Sequence, residues 1–201
     1  MIFSYNKEAV GDVLLAIVDN SGSEKVSFER KGNVARVYTA DKTVGYNFFD
    51  VSTYLTGLEG QGQVFLTTEQ VASLNELLVA EGFEAILEAD NSPKFVVGYV
   101  KECVPHEDSD HLSVTQIEVD NGEELQIVCG APNIEQGQKV VVAKPGAMMP
   151  NGLIIWPGNL RGVDSFGMVC SARELNIPNA PQVKGILVLP EDAVVGTEFK
   201  G

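Results

Sequence analysis

The chain has 201 residues, 44% of them hydrophobic, enough for one or two domains with real cores. With 14 basic against 28 acidic side chains its formal net charge is −14, which disfavours strong nonspecific binding to nucleic acid. Three cysteines without CxxC spacing imply reduced thiols, Glu8 and Asp12 interrupt any leader-like N-terminus, and no apolar run approaches the roughly 20 residues of a membrane span, so a cytoplasmic protein without a membrane segment is expected.

Composition shifts near residue 92. All nine prolines, both histidines, all three cysteines and the single tryptophan lie at or after Pro93, whereas ten of the fifteen aromatics precede it. Ala89-Asp-Asn-Ser-Pro93 is polar and turn-rich, which suits a short connection. Two domains are therefore predicted, 1–92 and 93–201. Neither side is basic: residues 1–93 carry 6 basic and 14 acidic side chains, and 94–201 carry 8 and 14.

The first part reads as α+β. Val13–Val18 is a short apolar run, consistent with a buried strand, and Asp19-Asn-Ser-Gly22 is a turn. Lys25–Arg30 and Val34–Thr39 flank Lys31-Gly-Asn33, a compact hairpin signal. Val44–Val51 is rich in aromatic strand formers. A helix is predicted from about Thr68 to Glu81. Thr67 and Gln70 match a capping box, Val71, Leu74, Leu77 and Leu78 mark one apolar face, and Gly82 is a plausible terminator. Chemistry is scarce here. Tyr46, Phe48, Phe49 and Tyr54 fit a core better than a base-stacking platform. Lys25, Arg30, Lys31 and Arg36 read first as a solvated hairpin and only second as an RNA or partner contact.

The second part reads as a β-barrel or sandwich of short strands. Phe95–Cys103 is the first, followed by the acidic loop Glu107-Asp-Ser-Asp110. Leu112–Val119 and Glu124–Cys129 are strands joined across Asn121-Gly122, a strong hairpin signal, and the former slips phase at Gln116, where a bulge is predicted. Lys139–Ala143 is a further strand, Met149-Pro-Asn-Gly152 leads into Leu153–Trp156, and Gly185–Leu189 closes the set.

The densest chemistry lies in Leu160–Ile177. Gly162 and Gly167 bracket Val163–Phe166, Arg161 can fork onto a phosphate or a carboxylate, and Ser171 can cap a short helix through Arg173, Glu174 and Leu175. Taken by chemistry alone, the segment fits a well-packed connection as readily as a binding loop. His106, His111, Cys103, Cys129 and Cys170 follow no common zinc spacing, so no metal or other cofactor is expected. His106 or His111 beside Asp108 or Asp110 could move protons, but no nucleophile or substrate pocket accompanies them, and no enzymatic activity is expected. Cys170 fits a buried structural thiol better than a redox-sensitive one.

The segment Leu160-Arg-Gly-Val-Asp-Ser-Phe-Gly-Met-Val-Cys-Ser-Ala-Arg-Glu-Leu175 resembles the hallmark of the tRNA-binding OB-fold domain. That domain is found near the N-terminus of the phenylalanyl-tRNA synthetase β subunit and at the C-terminus of many methionyl-tRNA synthetases. Phe95-Val-Val-Gly-Tyr-Val100, Asp110-His-Leu112, Ile127-Val-Cys-Gly-Ala-Pro-Asn133 and Gly185-Ile-Leu-Val-Leu-Pro190 follow in the family's order, from Pro93 to the end. His111 stands where the family usually has lysine. With an unrelated N-terminal half, the whole chain is similar to the YtpR family. The resemblance implies that the second part is an all-β OB-fold, a Greek-key β-barrel, which follows the α+β first part, itself of unknown role. It implies a non-catalytic protein with tRNA as partner, recognised by shape and phosphate contacts and assisting a synthetase or tRNA-processing step. An aminoacyl-tRNA synthetase, another protein and a second copy of the chain are further candidate partners. The implied RNA contacts are Lys101, Asn133, Lys144, Arg161, Ser165 and Met168, with the cations on phosphates and the rest on sugar, base or backbone. The other reading is a protein–protein interaction module on the same scaffold, without RNA affinity.

Overall fold

The computed structural model describes residues 1–120 and 122–200 and is mostly β, with few helices. The chain falls into two compact units, Met1–Ser92 and Pro93–Gly201.

The first unit is built on a six-stranded antiparallel sheet of β1 (Ile2–Tyr5), β2 (Val13–Ile17), β3 (Ser27–Lys31), β4 (Val34–Tyr38), β5 (Thr43–Phe49) and β6 (Gly62–Val64). The strand order is β3-β4-β5-β2-β1-β6. One short helix, α1 (Lys7–Val10), links β1 to β2, and α2 (Thr68–Ala80) follows β6. α2 starts where Thr67 Oγ1 accepts from the Gln70 N–H and the Gln70 side chain accepts from the Thr67 N–H, a closed capping box. It ends in a Schellman arrangement, with Phe83 N–H on the Leu78 carbonyl and Gly82 N–H on that of Val79. Val71, Leu74 and Leu78 are buried on one helix face in a single core with Phe3, Leu14, Val34, Tyr46 and Phe48. Each such fully buried side chain contributes about 1.5–3 kcal/mol. Tyr46 and Phe48 are therefore core residues, and Tyr54 is tied by its hydroxyl to the Phe49 carbonyl. Only Phe49 of that aromatic group lies on the opposite side of the sheet, by strand alternation.

The second unit carries β7 (Phe95–Pro105), β8 (Ser113–Glu118), β9 (Glu124–Cys129), β10 (Lys139–Ala143), β11 (Gly158–Leu160), β12 (Val163–Ser165), β13 (Met168–Val169) and β14 (Val188–Leu189). The main antiparallel path runs β13-β10-β7-β8-β9, with β14 also on β10. The Phe166 N–H reaches the Gln126 carbonyl, so the two ends of the path meet. Val100, Ile117, Ile127, Val140 and Val142 fill the enclosed space.

Several expectations shift. The register of β8 on β9 is unbroken from Ser113↔Cys129 to Glu118↔Glu124, so Gln116 carries no bulge. The extra residue is Lys101 on β7, between the pairs Val100↔Ile117 and Glu102↔Gln116. β8 itself alternates without a break, with Thr115, Ile117 and Val119 all buried; the apparent slip arises because inward position 115 holds a threonine, whose Oγ1 donates to the Ile127 carbonyl. Asn121 of the expected Asn121-Gly122 turn lies outside the described residues. Leu153–Trp156 forms a single bridge, Met148↔Ile154, in place of a strand. The stretch after Ser171 is a capped turn without a helix: Ser171 Oγ accepts from the Glu174 N–H, and the Glu174 carboxylate accepts from the Ser171 N–H.

Candidate nucleic-acid interface

β11 and β12 form a hairpin whose two-residue turn is Arg161-Gly162, with φ of 50° and 86°. Two positive φ values in succession are what a twisted hairpin of this length needs. Glycine meets that requirement freely, whereas arginine there costs about 1–2 kcal/mol. Contacts on both sides hold it. The Gly162 N–H donates to Asn159 Oδ1 at 2.9 Å, Asn159 Nδ2 donates to Asp164 at 2.8 Å, and Arg161 Nη1 donates to the Asp108 carbonyl at 2.7 Å. The arginine is exposed and has no salt bridge among the described residues.

His106 clasps the same turn to the acidic loop. Its ring is 4% exposed. Nδ1 accepts from the Asp108 N–H at 3.0 Å, so Nε2 carries the proton that it shares with the Leu160 carbonyl at 3.1 Å. Both nitrogens are thereby engaged in holding backbone. His111 is exposed and bonded to Asp110, whose carboxyl is held below its usual range by that hydrogen bond, by its own backbone N–H, and by the charges of His111 and Arg161. No group of three or more His, Cys, Asp or Glu side chains among the described residues is placed to hold a metal ion.

The structure places the six expected contact residues in different settings. Ser165 is 4% exposed, and its Oγ accepts from the Val128 N–H at 3.1 Å, joining β12 to β9. Asn133 is half-buried, with Nδ2 on the Ile186 carbonyl at 3.1 Å and Oδ1 taking the Ile186 N–H at 2.8 Å. Lys144 is ion-paired with Asp120 and mostly buried. Lys101 sits on the bulge, exposed and paired with Glu124. Met168 is half-buried, opposite Ala143 in the β10–β13 pair. Arg161 alone of these residues presents an exposed charge without an opposite charge bonded to it among the described residues. Arg161 and Ser165 share one hairpin; Asn133 belongs to the connection between β9 and β10.

Met168 also lines a cleft of about 290 Å³ together with Cys129, Ser171, Arg173, Lys184 and Glu174, whose carboxylate is bonded to Ser171. Arg173 and Lys184 are exposed, with no salt bridge among the described residues. They add two cations that the sequence did not single out. Their only signal there was sign, since eight basic side chains are spread over residues 94–201.

Cys170 is fully buried in a core with Val141, Ala143 and Met149, and burial pushes its thiol up to about 12 from an ordinary value of 9.0. Cys129 is also raised by burial, while Cys103 is half-buried. Alkylation at about pH 8 is expected to modify Cys103 first, leaving Cys129 and Cys170 protected until the unit unfolds. Mass spectrometry of a timed reaction checks this; equal labelling of all three thiols in the native protein would contradict it. Linkage has a matching sign. The folded chain keeps the Cys170 proton above pH 9.0, where an unfolded thiol has released it. This contribution to stability is thus complete below that pH and is lost as pH rises towards 12.

Residues 95–198 match the family model "Putative tRNA binding domain", and residues 21–90 match "Domain of unknown function (DUF4479)". The second unit therefore carries a tRNA-binding-type domain. The chain is 50% identical over 199 residues to the "Putative tRNA-binding protein YtpR" of Bacillus subtilis (strain 168), covering 98% of each. It belongs to the YtpR family. It is also 43% identical over 135 residues to the phenylalanine–tRNA ligase β subunit of Chromobacterium violaceum, covering 67% of this chain but 17% of that subunit. A solved MetRS related protein from Pyrococcus horikoshii aligns with 53% of this chain and 88% of its own at 22% identity, with a TM-score of 0.40, too loose a likeness to carry weight.

Proposed function

We propose that the protein is a non-catalytic, cytoplasmic tRNA-binding protein. In this reading residues 93–201 form an OB-fold, a Greek-key barrel, that recognises folded tRNA by its shape and a few phosphates, in aid of a synthetase or tRNA-processing step in trans. Residues 1–92 form a separate α+β domain. The observation that carries it is Arg161, a guanidinium fixed in a strained turn at the tip of the β11–β12 hairpin, exposed and free of a salt bridge among the described residues. A folded chain of net charge −14 gains affinity for RNA through exposed cations that no carboxylate has bonded, and Arg161, although it feels the charge of Asp110, forms no ion pair with it. Arg173 and Lys184 extend that set around the Met168 cleft. Ser165 and Asn133 act by shaping the surface rather than by touching RNA directly, since their polar atoms are already engaged within the unit.

The test is a titration of total folded tRNA against the full chain at about 20 and 150 mM salt, with Arg161→Ala in parallel. Saturable binding is expected at low salt. Arg161→Ala is expected to weaken it about tenfold and to reduce the salt slope by about one. Absence of saturable binding at the lower salt would sink the proposal.

The ion pairing of Lys101 and Lys144 favours a second reading, a protein–protein interaction module on the same scaffold. Under it, a synthetase, another protein or a second copy of the chain takes the place of tRNA, and Arg161→Ala leaves tRNA behaviour unchanged.

A further inference from the structure

The sheet of the first unit buries one face against α2 and leaves the other to alternate residues of each strand. Register places Phe28 opposite Val37, Arg30 opposite Ala35, Ala35 opposite Asn47, and Asn47 opposite Leu15. These side chains share the face away from Tyr46 and Phe48, with Phe28 and Arg30 exposed, Val37 and Asn47 half-buried and Ala35 buried beneath them. Phe28 is 75% exposed on the edge strand β3, where charged or polar residues usually blunt the edge. On the same face the Arg30 guanidinium lies 4.0 Å from the Phe49 ring centroid, with its Nε donating to the Gly32 carbonyl. Arg30 makes no salt bridge among the described residues. None of Phe28, Arg30, Ala35, Val37, Asn47 and Phe49 is acidic, in a stretch where acidic side chains outnumber basic ones 14 to 6.

We propose that this β3–β4–β5 face is a stacking platform for unpaired RNA bases, with Phe28 and the Arg30–Phe49 pair as its two stacking elements. It rests on the RNA-binding reading above and adds a second surface to it. Aromatic faces and a guanidinium plane accept any base by its π-face, so such a platform is sequence-tolerant. Phe28 and Arg30 are two residues apart on one strand, hence about 7 Å apart, close enough for successive bases of one chain. The Asn47 amide, on the same face, offers both a donor and an acceptor to a base edge. Charge selects RNA over a protein surface here. The only ionised group among these residues is a cation, which a phosphodiester neutralises, whereas an apolar protein partner would leave it buried and unpaired.

The experiment uses the full chain and labelled single-stranded oligo-U and oligo-A of about eight nucleotides, followed by anisotropy at low salt. Phe28→Ala, Phe28→Trp and Arg161→Ala are compared with the parent chain, and folded tRNA is titrated in parallel. Saturable oligonucleotide binding is expected, weakened about tenfold by Phe28→Ala and retained by Phe28→Trp, while Phe28→Ala leaves the Arg161-dependent part of folded-tRNA binding in place. Because Phe28 is exposed, its truncation leaves the core intact, which circular dichroism verifies. No oligonucleotide binding, or binding indifferent to Phe28→Ala, overturns the platform. If tRNA still binds through Arg161 in that case, only the platform falls; if tRNA binding is also absent, the RNA reading falls with it. A drop in molar mass by light scattering on Phe28→Ala would show the face to be a contact between copies, and would also overturn the proposal.

Discussion

Gly167→Ala is expected to destabilise the second unit by about 2–6 kcal/mol, a large effect for a single added methyl group. Gly167 has φ of 139°, a region that side chains rarely enter. An added Cβ would lie 2.8 Å from the Ala143 carbonyl oxygen and 3.2 Å from Ile127 Cδ1. The first of these is backbone of β10, held in register by β7, β13 and β14, so it cannot yield cheaply. Relief requires β13 to move off β10, and β13 carries Met168 and leads into buried Cys170. Gly158→Ala is the control. Nothing lies within 4 Å of its added Cβ, and the change is expected to stay within about 0.5 kcal/mol. Urea denaturation followed by the fluorescence of Trp156, the only tryptophan and a member of this unit, measures both. Equal midpoints for the two variants would show that the close approach of β13 to β10 does not limit stability.

Asn133→Ala is expected to cost about 2–4 kcal/mol, and to do so without any RNA present. The side chain satisfies both backbone groups of Ile186, a residue 53 positions later that is 8% exposed. Alanine leaves a buried donor and a buried acceptor without partners, each worth about 1–3 kcal/mol. Asn133→Asp keeps an acceptor for the Ile186 N–H and loses the donor, so an intermediate loss is expected. Amide exchange at Ile186 localises the effect, because that N–H should become the most accelerated of the unit's protected amides. Wild-type stability combined with weakened tRNA binding would instead make Asn133 a direct contact.

Asn133 is a residue that the motif assigns to the ligand, and Gly167 stands between two others, Ser165 and Met168. In this structure their immediate partners lie within the protein, and the surface they shape is where Arg161, Arg173 and Lys184 stand exposed. The motif therefore mixes two kinds of residue. Gly167, Ser165 and Asn133 bring β12, β13 and the segment before β14 onto the sheet, and the exposed cations ride on the result.

The sequence by itself determined what depends on near neighbours. The capping box of Thr67 and Gln70, the face of Val71, Leu74 and Leu78, and the turn at Lys31-Gly-Asn33 are set within a few residues, so spacing reveals them. Family membership was legible for a related reason: motifs in a fixed order from Phe95 to Pro190 survive as text. The strands at one end of the first sheet were not legible. Ile2–Tyr5 and the three-residue Gly62–Val64 exist because they pair with each other and, for the former, with β2, and nothing local announces them. Tertiary structure also decided the state of each candidate contact. Lys144 meets Asp120 across 24 residues, Ser165 meets Val128 across 37, and Asn133 meets Ile186 across 53. A sequence shows which side chains can donate, accept or carry charge, but the distance between two of them is fixed only once the strands between have paired, and that distance decides which groups remain free for a ligand.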